Sequence, residues 1–583
     1  MSNKIPLAQY IFSRLRQLGC HSVHGVPGDF TLRALDYLPA SKVNWIGNAN
    51  ELCAGYAADG YARAAATARR APGQLSIPKI GALCTTYGVG ELSAINAVAG
   101  AYAESTPIVH LVGTPPRSQW RGSGVVHHSL GDGNLGIYAE IATKFSVAQA
   151  DLSCGSLVEA VERFDHALQQ CVRQSRPVYV NLPSDLVSKE VWRAQLDSEL
   201  DTTTALTSST EEDRVVDIII DRIRSSRRPL ILADGLAYSW DLVEEANTLA
   251  QLTEMPTFCF SAGKGVINED LPSWRGALTA PTEYSTSTDL ALLIGPLLSD
   301  TNTAAWTVVP DPGVSISFNL DNVKIGDEVF STPSKGVLAK LISRLQRDAY
   351  IAGTSFLSVL DKPALAGPPA TTPSAPVSQD ALWRRMSTWL KPHDTVLLAN
   401  GTPLIGGREM HLPRHVHVIA SGIWCSIGQM LPAAQGIAAA KRDHNLPGRT
   451  ILFEGDGSFQ VTCQSISDII RYELDVTIFM CNNRGYTYER LLHGIKAEYN
   501  DVPAWNYVDA AKFFGGQTKE AGHGYRMLAR RVETWGELEE VLQDDGFADG
   551  KGLNIVDIVM DPEDVPQSSR AGLQRASAAL SAM

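Results

Sequence analysis

Apolar residues recur along this chain in two rhythms. Leu7, Ile11, Leu15 and Leu18 fall on one helical face, and Gly19 marks its stop. Elsewhere they come in short unbroken runs bounded by glycine, proline or polar residues, as strands buried on both faces do. Residues 22–24, 43–47, 108–113 and 178–183 are such runs early in the chain. Residues 229–234, 257–260, 291–294 and 315–318 follow, then 395–398, 450–453, 476–481 and 554–560. Helical stretches alternate with them, which predicts α/β architecture with doubly wound parallel sheets. The 583 residues are enough for about three or four domains. We expect three doubly wound units, at 1–190, 191–360 and 379–583. Residues 197–213 and a proline-rich 361–378 read as linkers.

One strand–helix–strand unit concentrates the chemistry. The run 450–453 leads into Gly455-Asp456-Gly457. Residues 458–472 carry Val461, Ile466, Ile469 and Ile470 at helical spacing, and the run 476–481 ends in Asn482-Asn483. Crossovers of this kind join parallel strands, so Asp456 and Asn483 should emerge at one sheet edge, where open α/β sheets bind ligands. A carboxylate, an amide oxygen and nearby carbonyls suit Mg²⁺, which also recruits phosphate oxygens. The glycines permit close backbone approach, and Ser458 should open a helix whose N-terminus attracts anions. A Gly-Asp-Gly alone is weak; its pairing with Asn-Asn across such a unit is a strong signal.

Composition changes this picture little. The chain is 44% apolar and 19% charged, as globular proteins are, and its net charge of −13 has no Lys/Arg block against it. That argues against nucleic acid and anionic membrane surfaces as partners. Nine scattered cysteines form no C-x-x-C pair, which suits reduced thiols. No signal-peptide region or membrane-length apolar run is present, so a soluble cytoplasmic protein is expected.

Further candidates sit at predicted strand ends. Gly25-Val26-Pro27-Gly28-Asp29 places Asp29 on a turn. Asn48-Ala49-Asn50-Glu51 opens an alanine-rich helix with Glu51 in its first turn, where an acid can simply complement the helix dipole. Thr85 to Gly90 is a glycine-rich turn into a helix from Glu91 to Tyr102. His127-His128 could be a metal pair or an exposed turn; on an extended segment adjacent rings point opposite ways, which disfavours joint chelation. The middle unit has no G-x-G-x-x-G, so nothing there supports a bound dinucleotide.

Taken together, these motifs resemble the thiamine diphosphate-dependent 2-oxo acid decarboxylases, with pyruvate decarboxylase nearest. The resemblance rests on Gly25 to Phe30, Asn48 to Arg63, His127 to Gly131, Gly455 to Ser458 and Asn482 to Gly494, and it spans the chain. It implies thiamine diphosphate and Mg²⁺ as cofactors. Asp456, Asn483 and the backbone oxygen of Gly485 would hold the metal. Glu51 would hydrogen-bond the aminopyrimidine ring, and the Cys425 carbonyl its amino group. Ile427 would prop the cofactor into a bent shape. Thr402, Gly457 and Ser458 complete the implied cofactor set. Asp29, His127, His128 and Glu489 would handle protons. Trp306, Trp424, Tyr488 and Leu492 would line the substrate pocket. The resemblance also implies a homodimer or homotetramer with sites at the subunit interface.

The chain departs from the family pattern at four positions. Cys425 stands where glycine is usual, tolerable if its φ is not forced positive. Arg484 stands for a common Asp, Trp306 for a Phe and Tyr488 for an aliphatic residue. A regulatory cysteine known in some relatives would fall near Leu236-Ala237, and neither is cysteine. The expected reaction is non-oxidative decarboxylation of a 2-oxo acid, pyruvate foremost, to an aldehyde and CO₂. Four alternatives stay open: an acyloin-forming carboligase, a decarboxylase of larger or aromatic acids, a flavin-containing oxidase, and a catalytically dead paralogue.

Overall fold

The computed structural model describes residues 3–64, 79–121, 124–202, 209–347, 356–357, 360–362, 367, 370–516 and 524–581. Three large sheets organise them, beside a two-stranded antiparallel pair of Lys4–Pro6 with Glu190–Trp192. The first has strands β1 (Ser22–Gly25), β2 (Asn44–Gly47), β3 (Gly81–Thr86), β4 (Ile108–Thr114), β5 (Gln149–Asp151) and β6 (Val178–Pro183). They lie in the order β2-β1-β3-β4-β6-β5, every pairing parallel. The middle sheet takes β7 (Pro229–Ala233), β8 (Thr257–Cys259), β9 (Trp274–Ala277), β10 (Leu290–Ile294), β11 (Ser315–Phe318), β12 (Val323–Ile325) and β13 (Glu328–Phe330). The third takes β14 (Thr395–Leu398), β15 (His417–Ala420), β16 (Thr450–Gly455), β17 (Val476–Asn482), β18 (Met527–Val532) and β19 (Leu553–Val559). Its order, β15-β14-β16-β17-β19-β18, repeats the first sheet's plan and is likewise all parallel.

The middle sheet corrects the all-parallel expectation. Its order is β9-β8-β7-β10-β11-β12-β13, and β12 and β13 pair antiparallel at the edge. The connections there are tight turns, one through Gly326 at φ +61, and antiparallel neighbours need no helical crossover. Two linker readings also shift. Helix begins at Ser209 (Ser209–Ser225), inside 197–213, while 203–208 lie outside the described residues. In 361–378, residues 363–366 and 368–369 lie outside them too, and Val377 is buried rather than on the surface.

Six helices position the site: α1 (Glu51–Arg63), α2 (Val89–Ala103), α3 (Met430–His444), α4 (Asp456–Thr462), α5 (Ser465–Arg471) and α6 (Thr487–Leu492). A C-terminal α7 (Gln567–Ser581) packs on α6. The single helix expected over 458–472 is two, broken at Cys463-Gln464, and it starts at Asp456 rather than Ser458. Among the described residues no helix is long and apolar enough to cross a membrane.

The first and third units are joined face to face by α1 and α3. A Cβ on Gly60 would enter the Ala433 carbonyl, and one on Gly436 would enter that of Ala57. The two backbones therefore touch, which only glycine at both points allows. Around this crossing the Asn48 amide donates to Gln435 (2.9 Å) and Asp468 (3.1 Å), and Gly47 N–H donates to the Tyr472 hydroxyl at 2.7 Å. Gly436→Val should lower stability by roughly 1–3 kcal/mol or more, as overpacking does, read from the denaturant midpoint. An unchanged midpoint would contradict this packing.

Candidate active site

The third sheet's strand ends assemble the expected acidic pocket. β16 and β17 pair in parallel up to Gly455 opposite Cys481, so Asp456 and Asn483 leave neighbouring strands at one edge. The Asp456 carboxylate, 2% exposed, accepts from Gly457 N–H (2.8 Å) and Gly485 N–H (3.0 Å). Burial pushes its pKa up to about 6 against the pull of those amides. Asn483 donates its amide to the Thr402 hydroxyl at 3.0 Å, leaving its carbonyl oxygen without a hydrogen bond among the described residues. Asn400, at the end of β14, has no partner for either amide atom. Gly401, at φ +87, and Gly455 each have open space where a Cβ would stand. The edge is thus a cradle of unspent oxygens with backbone room beside it.

The loop from Ser421 to Gly428 forms the cradle's wall. Ser458 Oγ accepts from Gly428 N–H at 2.8 Å, and Thr462 Oγ1 donates to the Gly428 carbonyl at 2.7 Å. Cys425 adopts φ +50, the left-handed region its sequence position made a concern, and its N–H donates to Ser421 Oγ at 2.7 Å. Ile427 is 37% exposed. Glu104, which the sequence reading passed over, organises this loop from the end of α2. Its Oε1 accepts from Ser421 Oγ (2.5 Å) and from the N–H groups of Gly422 (3.0 Å), Ile423 (3.3 Å) and Trp424 (3.2 Å). Its other oxygen meets Arg63 at 3.0 Å. From the middle unit, Ser299 and Thr301 both donate to the Gly422 carbonyl. Arg490 is a second unread residue. It is buried and holds the Asn483 and Arg484 carbonyls and Asp501, fixing a turn in which Arg484 sits at φ +59. No local pattern marks either residue, since their partners are far away or are backbone.

The first sheet's strand ends carry the other expected group. Glu51 is the first residue of α1, after Asn50, whose side chain caps Cys53 N–H at 2.8 Å. A Cβ on Gly90 would lie 3.0 Å from Glu51 Oε1, so the carboxyl rests on the first turn of α2. His127 Nε2 and Asp29 Oδ2 are 2.8 Å apart. Phe30 stacks on His127 with centroids 5.0 Å apart and planes 14° off parallel. The expectation that the two histidines diverge is overturned. His128 sits at φ +66, which breaks the alternation of an extended segment, and the two rings meet edge to face at 4.6 Å. Tyr138 donates to the His128 carbonyl at 3.2 Å, and that same carbonyl lies where a Cβ on Gly88 would be. Glu91 secures this turn: it accepts from Gly88 N–H (2.8 Å) and Tyr179 O–H (2.9 Å). Burial pushes the Glu91 pKa up to about 7.

Among the described residues no hydrogen bond or ring contact joins the four substrate-pocket candidates to one another. Trp424 lies on α2, against Gly100, donating to Asn96 at 2.9 Å. Trp306, at φ +60 and 58% exposed, donates to the Leu298 carbonyl. Tyr488 is buried with its hydroxyl unpartnered, and Leu492 offers its carbonyl to Ser577 of α7. Glu489 is exposed in the first turn of α6. Among the described residues no hydrogen bond or ring contact joins Glu51, Asp29, His127 or His128 to Asp456, Asn483 or Glu489. The chain presents two half-sites.

Known proteins resemble this chain in sequence and in fold. The family described as "Thiamine pyrophosphate enzyme, N-terminal TPP binding domain" matches residues 5–134, its central domain 216–345 and its C-terminal TPP binding domain 404–558. A pyruvate decarboxylase of Aspergillus parasiticus is 40% identical over 572 residues, covering 96% of each chain. Pyruvate decarboxylase isozyme 2 of Saccharomyces cerevisiae is 34% identical over 574 residues, covering 97% of each. Among solved structures, a benzoylformate decarboxylase from Polynucleobacter necessarius matches with TM-score 0.74 at 17% identity, covering 96% of this chain and 100% of its own. That match shows the fold.

Two outcomes follow from these geometries. Cys425→Gly should raise stability by about 1 kcal/mol by relieving the left-handed backbone; a loss in thermal midpoint would contradict the strain. Glu91, its pKa raised by burial, binds a proton more tightly folded than unfolded. Its contribution is therefore present below the ordinary carboxyl range and is lost as pH rises toward about 7. Glu91→Gln should gain on the wild type between pH 5 and pH 8, by at most roughly 3 kcal/mol. Parallel stability–pH curves would contradict this.

Proposed function

The chain belongs to the thiamine diphosphate-dependent 2-oxo acid decarboxylase family, and within it we propose that this protein converts pyruvate to acetaldehyde and CO₂ with Mg²⁺ as second cofactor. The Asp456–Asn483 cradle carries this reading. Asp456, Asn483 and the Gly485 carbonyl would hold Mg²⁺ and through it a diphosphate. The unspent oxygens and the space beside Gly401 and Gly455 fit such a group. Thr402, Gly457 and Ser458 would flank it. Cys425 would offer its carbonyl to the aminopyrimidine, and Ile427 would support the cofactor from below. When bound, the cofactor would supply a thiazolium ring as the electron sink for the pair left behind as CO₂ departs.

The chain's own groups would do the rest. Glu51, resting on Gly90, would hold a proton at the pyrimidine nitrogen. Asp29 and His127 are within hydrogen-bond distance at 2.8 Å, and His128 adds a second imidazole within reach. With Glu489, this set would deliver the proton that replaces the departing carboxylate. That assembled donor set favours aldehyde release over acyloin formation. The larger side chains at Trp306 and Tyr488 would either shrink the pocket, favouring a small acid, or reshape it for another.

The two half-sites need a second copy to meet, so we read a homodimer, or a homotetramer built as a dimer of dimers, with Glu51 of one subunit facing Asp456 of the other. Exposed Val89 and Leu92 beside the Glu51 half, and Ile423, Ile427 and Val461 beside the other, supply apolar surface for that contact. Seven of the nine cysteines are buried and all are free, which suits the cytoplasm.

The test is a panel of 2-oxo acids with both cofactors, with and without an aldehyde acceptor. Pyruvate should yield acetaldehyde as main product; preferential turnover of benzoylformate, or acyloin as main product, would replace this reading. Glu51→Gln should cut kcat by about 10²-fold or more while cofactor still binds; Asp456→Ala should lose Mg²⁺ and cofactor together. Wild-type turnover in the first, or wild-type cofactor affinity in the second, would contradict the assigned roles.

A further inference from the structure

We propose that Asp29, His127 and His128 form a chelating site for a borderline-soft divalent transition-metal ion, zinc above all, and that the bound ion reversibly arrests the enzyme. Each residue offers one donor atom, and the three lie within 4.8 Å of one another. Asp29 and His127 are already 2.8 Å apart. Zinc takes imidazole nitrogen and carboxylate oxygen at about 2.0–2.2 Å, so ligands around one ion stand roughly 3.3 Å apart. The trio needs a shift of an ångström or so, not a rearrangement.

The backbone makes this convergence. The φ of +66 at His128 turns its ring to the side of His127. That turn is held by Tyr138 O–H on the His128 carbonyl and by the close approach of Gly88. Phe30 stacks on one ring and meets the other edge-on at 6.5 Å, limiting where both can point. The Asp29 and His127 side chains are 51% and 57% exposed in the single chain, and in the proposed dimer the opening that admits a 2-oxo acid to them also admits an ion.

The donor set separates this site from the Mg²⁺ cradle. Two imidazoles and one carboxylate suit Zn²⁺, Co²⁺ or Cu²⁺, whereas Mg²⁺ demands oxygen ligands in octahedral array. Excess Mg²⁺ should therefore not displace the ion. Ligation occupies the lone pairs that would accept and pass protons, so an ion here blocks proton delivery without touching the cofactor. This inhibitory half rests on the acid–base role proposed above; the binding half does not.

The experiment uses holoenzyme with both cofactors and Mg²⁺ in excess. Zn²⁺ is titrated by calorimetry, Co²⁺ by its visible absorption, and turnover is followed in parallel. We expect one ion per chain, loss of most activity at saturation, and recovery on adding a zinc-selective chelator. Asp29→Asn and His128→Ala should each weaken Zn²⁺ binding by more than about tenfold. His393→Ala, at a stacked histidine pair elsewhere, should leave binding and inhibition as in the wild type. Thermal midpoints show that the variants are folded. No stoichiometric Zn²⁺ binding, or wild-type affinity in both ligand variants, would overturn the site. Binding lost in those variants but with turnover undiminished at saturation would overturn the inhibition alone. A holoenzyme that binds Zn²⁺ as expected yet turns over no 2-oxo acid would instead overturn the functional reading above.

Discussion

Backbone contact between α1 and α3 sets the geometry on which everything else depends. Where Gly60 meets Ala433 and Gly436 meets Ala57, the first and third units cannot slide or separate without exposing small-residue surface that nothing else fills. The crossing joins two sheets of one strand order. Glu51 begins α1 itself, and the Ile427 loop leads directly into α3. Each half-site is therefore attached to the same joint, yet among the described residues no hydrogen bond or ring contact joins Glu51, Asp29, His127 or His128 to Asp456, Asn483 or Glu489. The second subunit proposed above would complete the site, covering the exposed apolar residues that flank both halves.

Left-handed backbone recurs where function is expected. His128, Cys425 and Arg484 all have positive φ without being glycine, and Gly88, Gly401 and Gly485 share it. Each is over-determined by its surroundings: Tyr138 and Gly88 hold His128, Glu104 and Ser421 hold the Cys425 loop, and Arg490 holds Arg484. Strain of this kind persists only where neighbours enforce it, and it aims groups that ordinary strands would turn away. The middle unit joins in through Ser299 and Thr301 on Gly422, so all three units converge on the loop that walls the cradle.

Much of this could be read from the chain because parallel strands buried on both faces leave unbroken apolar runs. The strand ends carrying Asp29, Glu51, Asp456 and Asn483 fell out of that pattern with their neighbours. Three kinds of feature stayed hidden. The antiparallel edge β12–β13 is too short to carry a period. Glu104 and Arg490 act on distant or backbone groups, so no local spacing marks them; only Glu91, three residues after Gly88 at a helix start, left a capping signal. The third is conformation: alternation predicts diverging histidines, and a single left-handed residue reverses that outcome.

Sharing of one site between two chains is the claim most exposed to test, and subunit complementation tests it directly. Glu51→Gln and Asp456→Ala chains, each inactive alone, are dissociated, mixed and reassembled with cofactors. If each site takes Glu51 from one subunit and Asp456 from the other, mixed dimers hold one intact site, and turnover returns to roughly a quarter of wild type. If both residues serve one chain's own site, every site stays broken and the mixture remains inactive.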